Sequence, residues 1–174
     1  MATQFERTLI SKNAKFDQVR RDEAQFTEAE QRGFAIFFDT SEELPHSECG
    51  HCHVDPLFTT LEYHNNGIQT GDQLNFPDLG RGAITGNRFD NGKFKVPTLR
   101  NIALTAPYMH DGRFKNLEEV IKHYESGGHP AENVSPNVRP LHFTERDRAD
   151  LIAFLNALTD TTITRYPKFL TSDK

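Results

Sequence analysis

Cys49, Cys52 and His53 carry the most chemistry in this chain, in the run Cys49-Gly50-His51-Cys52-His53. Two thiols three positions apart share one side of a helical turn, and the next residue adds an imidazole. Thiols so placed can bond the two vinyl groups along one edge of a porphyrin, with the imidazole under its iron. Cys-x-x-Cys-His is the attachment signature of a c-type haem. The run uses both cysteines of the chain. A structural zinc ion wants four ligands, and no further cysteine is there to join His46, His51 or His64. A thioredoxin-like redox pair wants a strand before the motif and a helix after it, whereas a long loop follows here. One covalent haem c with His53 as proximal ligand is the expectation.

The far side of the iron needs its own donor or is left open. Met109 is the only methionine besides Met1, and a His/Met pair is the common ligation of electron-carrying cytochromes c. Arg100, Arg113 and His110 could serve haem propionates, since arginine meets a carboxylate with a bidentate fork. Loop-fixing hydrogen bonds are the plainer reading of all three. His46, His64, His129 and His142 stand beside Pro, Asn or Gly and read as surface histidines.

These residues must be positioned by a helical frame. Thr27 with Glu30 forms a capping box, and Phe34, Phe37 and Phe38 follow on one helical face, which predicts a helix over 28–39. Pro97 can open a short helix through Ala103. Asn116 caps a helix that ends before Gly127-Gly128, and Thr144 caps one rich in Leu151, Ile152, Phe154, Leu155 and Leu158. Phe5 to Ile10 reads as the end of a helix that begins upstream, with Met1 at the edge of a fragment. From Leu44 to Val96 the chain is rich in Gly, Asn, Asp and Pro and reads as a long irregular segment, the kind that wraps something. The fold class expected is all-α: a cytochrome c-like haem domain with long irregular loops, one domain over 1–174.

Composition agrees with an embedded prosthetic group. The apolar fraction is 36%, and 14 Phe with no Trp supply its bulk. A net charge of −5, without a basic run, argues against nucleic acid or an anionic membrane as partner. No stretch approaches the roughly 20 apolar residues that span a bilayer, and no secretion signal precedes the motif. Because haem is attached covalently outside the inner membrane in bacteria, the compartment expected is the periplasm.

Two further runs are more specific: Phe94-Lys95-Val96-Pro97-Thr98-Leu99-Arg100-Asn101, and Leu104-Thr105-Ala106-Pro107-Tyr108-Met109-His110-Asp111-Gly112-Arg113-Phe114. With the haem motif they resemble the C-terminal haem domain of the bacterial di-haem cytochrome c peroxidase family, which includes the methylamine-utilisation di-haem enzyme. The resemblance runs from Phe5-Glu6-Arg7-Thr8-Leu9 to Phe154-Leu155-Asn156-Ala157-Leu158. Members carry a second haem domain upstream, and this sequence holds a single motif. The resemblance implies an electron-transfer haem that passes electrons from a small donor protein, such as a cytochrome c or cupredoxin, to a peroxide-reducing haem in the upstream domain. The isolated domain is then not expected to turn over peroxide alone. A stand-alone mono-haem carrier and a methylamine-utilisation-type domain that oxidises a partner protein are the alternatives.

The resemblance also changes the distal ligand. Met109 matches a position commonly Phe in the peroxidases, and their ligating methionine matches Tyr124; in the methylamine-utilisation enzyme the ligand is a tyrosine. On a helical wheel with Leu117 as origin, Ile121 and Tyr124 lie within roughly 40°, whereas His123 falls roughly 100° from Tyr124. Tyr124 is the ligand expected, with Met109 as alternative and His123 or an open position behind them. Thr105 and Pro107 match positions whose backbone carbonyls hold calcium between the two haem domains.

Overall fold

The computed structural model describes residues 10–162 of the chain. The helix end expected over 5–10 falls outside these residues except for Ile10, which is exposed and not helical. Six α-helices follow: α1 (Lys15–Arg20), α2 (Glu28–Phe37), α3 (Cys49–Cys52), α4 (Gly82–Thr85), α5 (Leu117–Ser126) and α6 (Glu145–Asn156). Between α3 and α5 the strands β1 (Tyr63–His64) and β2 (Phe94–Lys95) pair antiparallel, Tyr63 opposite Lys95 and His64 opposite Phe94.

The described residues thus hold helices and the long irregular stretches expected of the all-α reading, with a two-stranded ribbon added to them. The ribbon forms where the long segment between Leu44 and Val96 closes on itself. Buried backbone there needs partners, and Val96 N–H extends the pairing to the Glu62 carbonyl at 2.8 Å. The helix expected over 97–103 shrinks to a 3-10 turn at Ile102–Leu104. Thr98 Oγ1 instead donates to the Leu57 carbonyl at 2.6 Å, and Asn101 at φ 62° breaks any helical run.

The caps behave as their chemistry demands. Thr27 and Glu30 bond reciprocally, as do Thr144 and Asp147, and Asn116 accepts from Glu119 N–H at 2.9 Å. Gly127 ends α5 at φ 79°. The short α1 has no such signal and was not anticipated; its Phe16 is buried and its N–H reaches the Ala157 carbonyl at 3.0 Å.

The core is built of phenylalanine. Phe16, Phe37, Phe58 and Phe154 are almost wholly buried, and their rings meet edge-on or tilted, Phe16 to Phe58 at 4.9 Å and Phe37 to Phe154 at 5.1 Å. Helix α2 crosses α6 at Gly33, where a Cβ would lie 2.0 Å from the Asp150 carbonyl oxygen. Beside the crossing, Arg32 of α2 holds Asp147 at 3.0 Å and Asp150 at 2.7 Å, both buried. Gly33→Ala should therefore force the helices apart and cost at least about 1–3 kcal/mol in denaturant unfolding. An unchanged midpoint would show that the crossing is not tight.

Candidate haem site

The motif turn α3 is seated on the end of α2. A Cβ at Gly50 would stand 3.0 Å from the Phe38 ring and 3.1 Å from the Phe37 carbonyl, so a side chain there would push these neighbours by a few tenths of an ångström. The two thiols are free, and both are half-buried. Burial pushes the Cys49 thiol up to about 11, and its Sγ–H points at the Ser47 carbonyl at 3.7 Å. Burial also raises Cys52, whose sulfur faces Asn137 Nδ2 at 3.9 Å. Raised thiols are the reverse of an activated redox pair, whose attacking cysteine is a thiolate. Among the described residues, the one His/Cys/Asp/Glu group close enough to share a metal ion is Asp39, Glu48 and His51, without either cysteine. A zinc site at the thiols therefore lacks its remaining ligands.

His53 follows the turn with its ring held from below. Its Nδ1 lies 2.9 Å from the Phe58 carbonyl, which places the proton on Nδ1 and the lone pair on Nε2, and the Pro97 carbonyl also lies near the ring. Burial lowers its pKa, so the imidazole is neutral, as ligation requires. The carbonyl is fixed because Phe58 is fully buried in the phenylalanine core, and the next residues are tied down by Thr59 Oγ1 donating to Val96 O at 2.6 Å.

Helix α5 brings a further side chain near the two thiols. Leu117 and Ile121 enter the core, and Tyr124 from the same face is half-buried, close enough to both thiols for each to disfavour its ionisation. Burial raises the Tyr124 pKa most, while a hydrogen bond from Asn66 Nδ2 at 3.2 Å opposes that. Met109 approaches the same amide, its sulfur 3.4 Å from Asn66 Nδ2, and its backbone is left-handed at φ 72°. Both candidate distal donors thus converge on one point. His123 turns aside: its Nε2 meets the Asn66 carbonyl at 2.9 Å.

The other expected site residues have protein partners. Arg100 grips Asp17 with both terminal nitrogens, at 2.9 and 2.8 Å, and donates Nε to Pro56 O at 2.8 Å. Arg113 bonds Asp111 and, at 2.6 Å, Ile68 O. His110 stacks on Phe94 at 3.7 Å between centroids. In the described structure these three fix loops. Thr105 and Pro107 are exposed, with Thr105 Oγ1 donating to Ile102 O at 3.1 Å. Asn66, Asn137 and the Phe58 carbonyl were not anticipated, because an asparagine in a loop or a backbone oxygen carries no motif.

No family model matches the chain. The methylamine utilization protein MauG of Methylorubrum extorquens is 37% identical over 160 residues, covering 88% of this chain and 41% of that protein. The cytochrome c551 peroxidase of Nitrosomonas europaea is 34% identical over 157 residues, covering 90% of this chain and 42% of that protein. Over about 90% of its length the chain is homologous to MauG and to cytochrome c peroxidases of the di-haem family. The crystal structure of a MauG-like protein associated with microbial copper homeostasis overlays with a TM-score of 0.79 at 38% identity, over 91% of this chain and 51% of that one. The chain thus spans about two fifths to half of the di-haem proteins it matches. Haem c fits the residues present: two unpaired thiols on one turn, a neutral imidazole beside them, and oxygen and sulfur donors gathered at Asn66. Acidified organic extraction should leave haem on the polypeptide, and Cys49→Ala with Cys52→Ala should release it. Intact haem extracted from the unmodified holoprotein would refute covalent attachment.

Proposed function

We propose that residues 1–174 form one haem domain, the C-terminal electron-transfer half of a di-haem peroxidase. Its single haem would be held through Cys49 and Cys52, with His53 and Tyr124 on the iron. The observation that carries this reading is the distal side, where Tyr124 Oη and Met109 Sδ are both supplied by the protein and gathered by one amide. An iron with donors on both sides offers peroxide no open position, which suits electron transfer better than peroxide reduction.

When bound, the haem supplies one-electron chemistry; the chain's own residues orient and insulate it. Phe58 aims the His53 ring, Gly50 lets the attachment turn pack on α2, and the phenylalanine core keeps water from that side. Electrons would come from a small donor protein such as a cytochrome c or cupredoxin and leave to a peroxidatic haem in an upstream domain. The exposed Thr105–Pro107 stretch would meet that domain, with their carbonyls contributing to a shared calcium ion. The compartment proposed is the periplasm. Among the described residues no helix is long and apolar enough to cross a membrane.

A second reading, a MauG-type domain that helps oxidise a partner protein, is favoured by the tyrosine itself. A phenolate is a hard anionic donor that favours oxidised iron, so a His/Tyr haem has a lower potential than a His/Met haem. Peroxide turnover in the longer parent protein separates the first reading from a stand-alone carrier. A requirement for a specific protein substrate would support the MauG type.

Two outcomes are expected. The isolated holodomain should reduce peroxide only at background rates with a reduced cytochrome donor, and turnover should return with the upstream haem domain; efficient turnover by the isolated domain contradicts the assignment. Tyr124→Phe should open the sixth position and change spin state and optical spectrum, while Met109→Leu, which roughly conserves apolar volume, should leave both nearly unchanged. Loss of a sulfur-to-iron charge-transfer band in Met109→Leu, with no effect of Tyr124→Phe, would install Met109 as the ligand.

A further inference from the structure

Asn66 sits just after β1, and its side-chain amide has two N–H groups and no other donor. One reaches Tyr124 Oη at 3.2 Å and the other Met109 Sδ at 3.4 Å. The residue itself is held on several sides. Its carbonyl accepts from His123 Nε2 at 2.9 Å, which ties it to the helix that carries Tyr124. Asn65 before it accepts Ser135 N–H at 2.9 Å and bonds Asn133 at 2.9 Å. Gly67 after it accepts His129 N–H at 2.7 Å, and a Cβ at Gly128 would stand 3.0 Å from Gly67. These contacts fix the backbone from which the Asn66 amide reaches both donors, so its two N–H groups are offered from a set place.

We propose that Asn66 is the positioning residue that gives the distal iron position to Tyr124 over Met109. The inference rests on the reading in which His53 and Tyr124 ligate a haem held by Cys49 and Cys52. A tyrosine oxygen bound to iron has released its proton and carries negative charge, in a setting already beside two sulfurs. A hydrogen bond to an anionic oxygen is roughly twice as strong as one between neutral groups. A thioether is a weak acceptor. The same amide therefore supports the phenolate strongly while occupying a lone pair of Met109, and both effects act in one direction. Removing the two N–H groups removes the support from the oxygen and frees the sulfur together.

The test uses the haem-loaded protein and reads ligand identity and reduction potential, which a merely structural role would not change. Asn66→Leu conserves size without donors, and Asn66→Asp conserves shape with acceptors only; the second keeps the test open if the first fails to load haem. Each should lose the phenolate-to-iron charge-transfer band, gain the sulfur-to-iron band of Met109 and shift to a higher potential. Adding Met109→Leu to either should leave an open, high-spin site. If Tyr124→Phe changes the wild-type spectrum but both Asn66 variants keep the phenolate band and the potential, this inference alone is overturned. If Tyr124→Phe changes nothing, the ligand reading falls and the inference with it.

Discussion

The hydrogen bond between His53 Nδ1 and the Phe58 carbonyl joins the interior of this domain to its chemistry. Phe58 is fully buried, with its ring 4.9 Å from Phe16 and 6.3 Å from Phe154. Through those rings the α2–α6 pair and the short α1 decide where one backbone oxygen stands. That oxygen decides the tautomer and direction of the imidazole, and so which nitrogen keeps its lone pair. The two partners stand five positions apart in the chain. A large phenylalanine content without tryptophan is consistent with this design, since the core needs bulk and no polar handle.

The two donors gathered at Asn66 obey a different logic. Helix α5 is anchored by Leu117 and Ile121, capped by Asn116 and ended by Gly127, so Tyr124 is presented from a rigid element. Met109 comes from a loop and adopts a left-handed backbone that a non-glycine residue adopts only where its surroundings require it. The two donors are brought together by a segment from a third part of the chain.

The attachment turn, the three capped helices and the inward face of α5 were legible in the residues, because each rests on local chemistry: thiol spacing, a side chain that accepts from its own helix, a periodic apolar face. The ribbon at Tyr63 and Phe94 was not, since two-residue strands carry no alternation to read. Pro97 suggested a helix, and the competing bonds of Thr98 to Leu57 and Arg100 to Pro56 and Asp17 prevented it. Those partners lie about 40 or more positions away, beyond any local signal. The Arg100 fork meets the carboxylate of Asp17, a partner 83 positions away. Asn66 was invisible because an asparagine before a glycine reads as a turn, whatever its amide touches.

A crystal structure of the haem-loaded protein tests the central claim most directly. The account predicts continuous density from the Cys49 and Cys52 sulfurs to one porphyrin, with iron between His53 Nε2 and Tyr124 Oη and Asn66 still against the tyrosine oxygen. Iron bound by Met109 sulfur, or facing solvent opposite His53, would contradict it.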